Sequence, residues 1–212
     1  MKALVIGATG ATGRPLVEIL LNDKHYDSVV VFVRKSTGID NPKLTEYITD
    51  FSNIDEFKSA IKGDVFFNCM GTTIKDAGNK DVQYNIDVEI PLKFASIAKK
   101  NDVDTFVLVS AANADINSRF FYSRIKGELE KEIGKLNFKR FIIFRPGMLE
   151  RPFSIRKAEI FMVNFISGLN DLGLLRKFRP LPTDILAKKL VKSVKEIKNG
   201  QTILKSDDIM KL

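Results

Sequence analysis

Six short apolar segments alternate with segments of helical periodicity, and this alternation constrains the fold more than any other feature. The apolar segments, each bounded by turn residues, cover residues 3–7, 29–33, 46–50, 64–70, 106–110 and 140–146. The helical patterns between them cover residues 11–22, 53–62, 82–100 and 121–136. Nearly continuous apolar strands are typical of a parallel sheet that helices cover on both faces. The alternation therefore predicts the α/β class, with a doubly wound parallel sheet.

The pattern changes after the sixth apolar segment. Residues 159–169 and 182–200 have the patterns of helices, and residues 202–205 indicate a last short strand. This tail is too short to form a separate domain with its own core. We therefore expect a single domain over residues 1–212, in which residues 151–181 form a small C-terminal cap over the substrate side of the sheet.

The sequence VIGATGATGRP leads out of the first predicted strand and places Gly7, Gly10 and Gly13 three residues apart. Glycine permits a tight turn and lets the backbone approach a pyrophosphate closely. The N-terminus of the following helix favours the phosphate charge. A glycine-rich turn without a ligand is the alternative, but its place after the first strand of an alternating chain favours a dinucleotide. The residues predicted to bind the dinucleotide here are Gly7, Thr9, Gly10, Ala11, Thr12, Gly13 and Arg14.

Two basic residues, Arg34 and Lys35, follow the second predicted strand. Folds that prefer NAD place an acidic residue there, which accepts hydrogen bonds from the ribose hydroxyls. A carboxylate would repel a 2′-phosphate, whereas a guanidinium binds it through charge-assisted hydrogen bonds. Arg14 lies beside the glycine loop and is expected to approach the same phosphate. We therefore expect NADP(H) in preference to NAD(H); the alternative is that these residues are ordinary surface charges.

The residues that end the other strands are candidates for the same site, because ligands of open α/β sheets bind at the carboxyl ends of the strands. Asp50 ends the third predicted strand, where it would recognise an adenine edge. Cys69 has no nearby base and is expected to be a buried apolar residue rather than a nucleophile. For Arg145 and Pro146 the alternative is a role in shaping the loop. The residues predicted to bind the cofactor at these strand ends are Asp50, Phe51, Cys69, Met70, Gly71, Thr72, Arg145 and Pro146.

Tyr122 and Lys126 lie one helical turn apart, and Ser110 ends the fifth predicted strand. Adding a hydride to a carbonyl carbon requires a proton for its oxygen, but a free tyrosine has a pKa of about 10. An ammonium on the same helix face favours the phenolate. We therefore predict that Tyr122 is a general acid/base, that Lys126 is its charge partner and holds the nicotinamide ribose, and that Ser110 orients the carbonyl. The alternative is a chance pair on an amphipathic helix, whose residues from Glu128 onward are expected to face solvent.

Several motifs appear together in the order of a known superfamily. GATGATG, Ser110…Tyr122-x-x-x-Lys126 and FRPGML resemble the short-chain dehydrogenase/reductase superfamily in its atypical branch. More narrowly, NCMGTTIKDAG, LVSAANADINSRFFYSRIKGELE and FKRFIIFRPGMLERP resemble the Tat-interactive protein family, over roughly residues 1–155. The resemblance implies a Rossmann fold, NADPH at the carboxyl edge of the sheet and a Ser-Tyr-Lys site.

The chain departs from the family at one position. The family usually has two serines after the fifth strand, whereas this chain has Ser110 followed by Ala111. If the second serine is the one that works in the family, then Ser110, Asn113 or Ser118 would replace it here, or turnover would be lost.

Composition argues against several other kinds of site and partner. One histidine and one cysteine do not suit a zinc site or a disulfide framework. The formal net charge is +8, but the basic residues are scattered among acids, and the fingerprints of nucleic-acid-binding modules are missing. No apolar stretch approaches the roughly 20 residues that span a membrane, and no signal peptide is predicted. We expect a cytoplasmic protein with a small-molecule substrate and no metal, nucleic-acid or membrane partner, as either a monomer or a homodimer.

The leading hypothesis is therefore an NADPH-dependent oxidoreductase that reduces a small carbonyl compound by a Ser-Tyr-Lys mechanism. A second hypothesis is an NADPH-binding sensor or regulatory interaction protein without turnover, which the alanine at position 111 favours. A third is an enzyme similar to nucleotide-sugar epimerases, for which the short tail leaves little room. The substrate and the direction of the reaction stay open.

Overall fold

The computed structural model describes residues 1–150 and 180–212. The strands are β1 (Lys2–Ile6), β2 (Ser28–Val33), β3 (Leu44–Ile48), β4 (Val65–Asn68), β5 (Thr105–Val109), β6 (Arg140–Arg145), β7 (Leu149–Glu150), β8 (Leu181–Pro182) and β9 (Gly200–Lys205). The α-helices are α1 (Gly13–Asn22), α2 (Ile74–Ala77), α3 (Lys80–Tyr84), α4 (Ile90–Lys100), α5 (Phe121–Gly134), α6 (Thr183–Glu196) and α7 (Ser206–Lys211). A π-helical turn over Asn85–Glu89 joins α3 to α4. The cap predicted at 151–181 and the helix predicted at 159–169 lie outside the described residues, apart from Pro180 and Leu181.

Seven of the strands form one sheet in the order β3-β2-β1-β4-β5-β6-β9, and each neighbouring pair is parallel. The chain reverses its direction of progress across the sheet between β1 and β4. Open α/β sheets bind ligands outside the carboxyl ends of the strands at such a reversal. The predicted doubly wound parallel sheet is confirmed, and its topology identifies the edge at which a site is expected.

The sheet separates two apolar cores, because the side chains of its central strands point alternately to opposite faces. One core packs under α1 and α6 and includes Val5, Val31 and Leu190. The other packs under α4 and α5 and includes Phe66 and Phe106, whose rings stack with centroids 5.2 Å apart. Because both faces are covered, the central strands are continuously apolar, as the sequence predicted.

Several predicted elements differ from those observed. The third strand lies at 44–48 instead of 46–50 and is half-exposed, because it forms an edge of the sheet. The predicted helix at 53–62 is only a 3₁₀ turn, Ile54–Phe57, because the Asn101 amide takes up the carbonyls of Lys58 and Ile61. The final strand is longer than predicted.

The predicted helix at 82–100 was also too simple. It is interrupted at Asn85–Glu89, where the backbone widens into the π-helical turn, and α3 precedes it. Single π turns of this kind are frequent at functional sites. The turn buries the carboxylate of Asp87 beneath the carboxyl edge of the sheet.

Candidate functional site

The glycine loop between β1 and α1 is packed too closely for side chains. Gly7 has a φ of +76°, and a Cβ at this position would lie 2.5 Å from the carbonyl carbon of Cys69. A Cβ on Gly13 would lie 2.0 Å from the carbonyl oxygen of Gly7. The amide of Gly10 donates to that same oxygen at 3.0 Å. The loop therefore presents bare backbone beside the end of β4, which fits the close approach that a dinucleotide pyrophosphate needs.

A cavity of about 700 Å³ opens at this edge of the sheet. Several residues from the sequence prediction meet at its wall; they are Gly10, Ala11, Thr12, Cys69, Met70, Gly71, Thr72, Ser110, Tyr122 and Lys126. The wall also contains residues that were not predicted, among them Ile74, Lys80, Gln83 and Phe121. The structure thus brings the glycine loop, the end of β4 and the start of α5 together at one cavity.

Tyr122 and Lys126, the predicted pair on α5, both line this cavity but differ in their exposure to solvent. Tyr122 is 43% exposed, whereas the side chain of Lys126 is only 2% exposed. The Nζ atom of Lys126 lies 5.7 Å from the centroid of the Tyr122 ring. The ammonium is therefore close enough to act on the charge of the tyrosine, from a position that bulk water screens little.

Asp87 is the charge partner of Lys126. Its Oδ2 atom lies 3.7 Å from Nζ of Lys126, and its side chain is fully buried. The amide of Thr72 donates to Oδ1 at 2.8 Å, while Oδ2 accepts no hydrogen bond from any residue that the structure describes. Burial raises the pKa of Asp87, and the Lys126 ammonium lowers it only in part. One carboxylate thus links the floor of the cavity at Thr72 to the lysine of α5.

Ser110 is bonded to a second buried carboxylate. Its hydroxyl donates to Oε1 of Glu130 at 2.5 Å. The Nε and Nη2 atoms of Arg145 donate to the same carboxylate, with the shortest bond at 2.5 Å. These hydrogen bonds to the Glu130 carboxylate raise the pKa of Arg145. The end of β5, the middle of α5 and the end of β6 are therefore joined through Glu130.

This arrangement limits what Ser110 can do in the cavity. A serine hydroxyl has one proton to donate and two lone pairs that accept. Because the proton of Ser110 is directed at Glu130, only its lone pairs are left for a ligand. Arg145, which the sequence predicted at the cofactor, forms an ion pair with Glu130. Pro146 accepts a backbone hydrogen bond from Ala112 at 3.0 Å, which closes the loop after β5.

The basic residues predicted at the adenosine end are exposed. The side chains of Arg34 and Lys35 lie in the loop after β2 and form no hydrogen bond or ion pair with any residue in the described part of the chain. Arg14 donates to the carbonyl oxygen of Thr37 at 3.1 Å and pairs with Glu18 at 3.3 Å. Arg14 is thus attached to the same loop as Arg34 and Lys35.

Glu46 on β3 holds this loop in place. It accepts hydrogen bonds from the Ser36 hydroxyl at 2.6 Å and from the Thr37 amide at 2.9 Å, and the Thr37 hydroxyl donates to it as well. Burial acts to raise the pKa of Glu46, but these hydrogen bonds outweigh it and hold the pKa below its usual value.

Asp50 and Phe51, predicted at the end of the third strand, are not among the residues that line the cavity. Asp50 is exposed and accepts from the amide of Ser52 at 2.8 Å. Phe51 has a φ of +69° and packs against Phe94 with ring centroids 6.0 Å apart. Cys69, by contrast, lines the cavity. Burial raises the pKa of its thiol to about 12, which agrees with a packing role and not with a nucleophile.

Comparison with known proteins decides the family. A family model described as NAD(P)H-binding matches residues 7–155, more than half of the chain. The protein named HTATIP2 from Rattus norvegicus is 34% identical over 152 residues, which are 70% of this chain and 62% of that protein. The protein named FMP52, mitochondrial, from Meyerozyma guilliermondii is 38% identical over 151 residues, which are 70% of this chain and 65% of that protein. The chain is an atypical short-chain dehydrogenase/reductase of the HTATIP2 family.

A solved structure agrees with the fold of this short-chain dehydrogenase/reductase. A superfamily member from Agrobacterium tumefaciens with bound NAD has a TM-score of 0.73 at 16% identity, covering 100% of this chain and 80% of that one. The matches to the two relatives cover less than two thirds of their own lengths, 62% and 65%. Family membership therefore establishes a fold that binds a nicotinamide nucleotide and does not identify a substrate.

The prediction of a cytoplasmic location is wrong by this comparison, because the FMP52 relatives are named mitochondrial proteins. The prediction relied on a single cysteine and on the lack of a membrane-length apolar stretch, and neither feature separates the cytoplasm from another reducing compartment. Among residues 1–150 and 180–212, no helix of this short-chain dehydrogenase/reductase is long and apolar enough to cross a membrane. The same residues contain no cluster of histidine, cysteine, aspartate or glutamate that could hold a metal ion.

Sequence reasoning missed three carboxylates that organise the site of this short-chain dehydrogenase/reductase. Asp87 and Glu130 lie in helical patterns, where acidic residues usually face solvent, and Glu46 lies on an edge strand. A usable signal existed for Glu130, which follows Lys126 by one helical turn and therefore lies on the same helix face. Asp87 gave no comparable signal, because its burial depends on the π turn.

Proposed function

We propose that this protein is an NADP(H)-dependent oxidoreductase that reduces a small carbonyl compound, with Tyr122 as proton donor and Lys126 as its charge partner. The observation that supports this most is the meeting of the glycine loop, the end of β4 and the Tyr122–Lys126 pair at one cavity. The glycine loop would hold the pyrophosphate of a dinucleotide, and the residues at the end of β4 and on α5 would hold its nicotinamide end.

The proton transfer follows from the residues of α5. NADPH, when bound, supplies a hydride to the carbonyl carbon. The Tyr122 hydroxyl gives its proton to the carbonyl oxygen, so that an alcohol forms and the tyrosine becomes a phenolate. The Lys126 ammonium, 5.7 Å from the ring centroid, stabilises that phenolate. Because Tyr122 is 43% exposed, it can regain a proton from solvent.

Ser110 takes a different part from the one expected of a carbonyl-orienting serine. A hydroxyl that donates to Glu130 cannot at the same time donate to a carbonyl oxygen. We therefore assign the hydrogen bond to the substrate oxygen to Tyr122 alone. Ser110 holds the wall of the cavity through Glu130 and accepts from any ligand group that donates.

The preference for NADP(H) is supported by the charges at the end of β2. Arg34 and Lys35 are exposed and unpaired within the described residues, and Arg14 is fastened to the same loop. Unpaired cations are free to bind a 2′-phosphate, and at that place no acidic residue competes for a ribose hydroxyl.

The cofactor preference is tested by titrating wild type and Arg34→Ala with NADPH and NADH. We expect tighter binding of NADPH, and a loss of roughly tenfold in NADPH affinity in Arg34→Ala, since a charge-assisted hydrogen bond contributes about 1.5 kcal/mol. NADH affinity should stay the same. Equal affinities that the substitution leaves unchanged would remove the claim.

The acid/base assignment is tested with a panel of aldehydes, ketones and quinones. We expect Tyr122→Phe to lower the rate by roughly 100-fold or more, the usual contribution of a positioned general acid. Tyr84→Phe is the matched control, because the Tyr84 hydroxyl is bonded to Glu128 at 2.5 Å and does not line the cavity. A rate that is insensitive to Tyr122→Phe would contradict the mechanism.

A regulatory protein that binds NADPH without turnover is the second candidate, and one observation favours it. The donor of Ser110 is occupied, and position 111 holds alanine where the family usually has serine. The variant Ala111→Ser separates the two candidates. If wild type is inactive and the variant gains turnover, the second candidate holds; if wild type is already active, Tyr122 suffices as the donor. No feature of the described residues favours an epimerase.

A further inference from the structure

The charged side chains that residues 1–150 and 180–212 contribute to the cavity wall are all of one sign. Lys80 and Lys126 are the charged residues among the described residues that line the cavity. The ammonium of Lys126 is offset by the buried carboxylate of Asp87 at 3.7 Å. Lys80 has no carboxylate within ion-pair distance in residues 1–150 and 180–212. Among the described residues of the wall, the uncompensated charge therefore lies at Lys80.

An aromatic ring keeps Lys80 at the cavity. Its Nζ atom lies 5.5 Å from the centroid of the Phe121 ring, which also lines the cavity. The guanidinium carbon of Arg124 lies 5.8 Å from the centroid of the same ring. An aromatic face attracts cations, so Phe121 interacts with both positive charges. Within the described residues, the Arg124 side chain donates a single hydrogen bond, to the carbonyl oxygen of Ser118. No carboxylate therefore neutralises its charge there.

Much of the remaining cavity wall is apolar. Met70, Ile74, Val109 and Leu149 line the cavity together with Phe121. In ligand pockets of this kind, apolar side chains supply the affinity and a few charged groups fix the orientation. A charged ligand group would meet Lys80, while the remainder of the ligand would lie on the apolar wall.

We propose that the ligand reduced in this cavity is an apolar molecule that bears an anionic group, and that Lys80, held by the Phe121 ring, binds this group. The proposal rests on the proposed function in taking Tyr122 as the site of reduction. Its recognition step does not depend on turnover, because Lys80 acts on the charge of the ligand and not on the reacting carbonyl. Lys80 is thereby a specificity-determining residue.

The test compares two fluorescent probes that differ by one charged group. Protein saturated with NADP⁺ is titrated with 1-anilinonaphthalene-8-sulfonate, which is an apolar anion, and with N-phenyl-1-naphthylamine, its neutral counterpart. We expect Lys80→Gln to weaken binding of the anionic probe by about fivefold, as for an ion pair near a protein surface. Binding of the neutral probe should not change. Lys62→Gln is the control, since Lys62 is exposed and precedes β4 at the opposite edge of the sheet.

Three outcomes would overturn the proposal. The first is that Lys80→Gln leaves the affinity for the anionic probe unchanged. The second is that both probes lose affinity equally, which would indicate that Lys80 has a packing role. A loss of NADP⁺ affinity in Lys80→Gln with no change for the probes would mean that Lys80 serves the cofactor.

The failure of this proposal can be distinguished from failure of the proposed function. The rates of reduction of 4-carboxybenzaldehyde and of methyl 4-formylbenzoate are compared in wild type and Lys80→Gln. A preference for the acid that Lys80→Gln abolishes supports both proposals. If neither compound nor any other carbonyl is reduced, the proposed function fails, and the probe titration alone decides the role of Lys80.

Discussion

The two ends of the carboxyl edge of the sheet hold their charged side chains in opposite ways. Around α5, Glu130 and Asp87 are buried and each is paired with a cation of the same chain. At the end of β2, Arg34 and Lys35 are exposed and have no partner in the described residues. Glu46, on the neighbouring strand β3, accepts hydrogen bonds from Ser36 and Thr37 of that loop and forms no ion pair with Arg34 or Lys35.

The difference follows from what each end has to do. Acid/base chemistry needs groups held in fixed geometry, and burial with a partner fixes them. Binding a phosphate needs cations that are not already neutralised. A buried pair that loses one member leaves a charge without compensation, whereas an exposed cation that is removed leaves only solvent. Substitutions at the two ends should therefore affect stability very differently.

The largest effect is expected at Glu130. Glu130→Gln removes the negative charge that accepts hydrogen bonds from Ser110 and Arg145. We expect it to lower the free energy of unfolding by about 3 kcal/mol, the lower end of the range for breaking a buried ion pair. Arg145 is 21% exposed, so some of its charge can reach water. The measurement is urea unfolding followed by circular dichroism.

Glu132→Gln on the same helix is the matched control. Glu132 pairs with Lys135 at 2.6 Å, but that lysine is largely exposed, so the loss should be less than about 1 kcal/mol. If the two substitutions cost the same, the contrast between buried and exposed charges does not hold for α5.

A smaller effect with a pH signature is expected at Glu46. Its hydrogen bonds to Ser36 and Thr37 lower its pKa in the folded state, so the stability that it contributes is present above the unfolded pKa. That stability is lost as the pH falls through the folded pKa. Glu46→Gln should therefore cost about 1 kcal/mol at neutral pH. The cost should shrink as the pH falls below 4.5, the ordinary value for glutamate. Urea unfolding of both proteins across this range measures the difference, and a pH-independent cost would contradict it.

Asp87 should behave in the opposite sense to Glu130, although both carboxylates are buried. Burial raises the pKa of Asp87, and one of its oxygens accepts no hydrogen bond in the described residues. A raised pKa means that the fold is favoured with the carboxyl protonated, so this contribution is present below the ordinary value of 3.8 and is lost as the pH rises through the folded pKa. Asp87→Asn resembles the protonated form.

We therefore expect Asp87→Asn to raise the free energy of unfolding at neutral pH, by less than Glu130→Gln lowers it. The advantage of the variant should disappear in acid. Urea unfolding at pH 7 and at the lowest pH that keeps both proteins folded measures this. A loss of stability at neutral pH would show that the Lys126 ammonium outweighs the cost of burial. In that case Asp87 would belong with Glu130.

Local features of the sequence predicted more of this molecule than long-range ones did. The glycine loop and the Tyr122–Lys126 spacing are encoded within a few residues, and the structure brings both to one cavity. The bounds of the third strand were predicted wrongly because the strand is half-exposed at the edge of the sheet. A position at the edge cannot be recognised from a local stretch of sequence. The helix at 53–62 was overextended because Asn101, far along the chain, takes its carbonyls.

The same reason explains what the sequence hid in the candidate site. Acidic residues in the second half of α5 were expected to face solvent, yet Glu130 is buried because Arg145, on the next strand, neutralises it. Asp87 meets Lys126 only because a π turn rotates it inward. Each of these pairs depends on two elements that pack together after the chain has folded, so neither could be predicted from periodicity.

The smallest effect on stability is expected for the exposed cations after β2, at the adenosine end of the site. Arg34→Gln and Lys35→Gln remove exposed charges with no partner in the described residues, so each should change the free energy of unfolding by less than about 0.5 kcal/mol. In the presence of NADPH the two variants should be stabilised less than wild type, because a ligand that binds the folded state more weakly raises its stability less. Thermal unfolding with and without NADPH measures both quantities. A variant that is destabilised without ligand would mean that these cations hold the loop. The contrast between paired charges around α5 and unpaired cations after β2 would then fail.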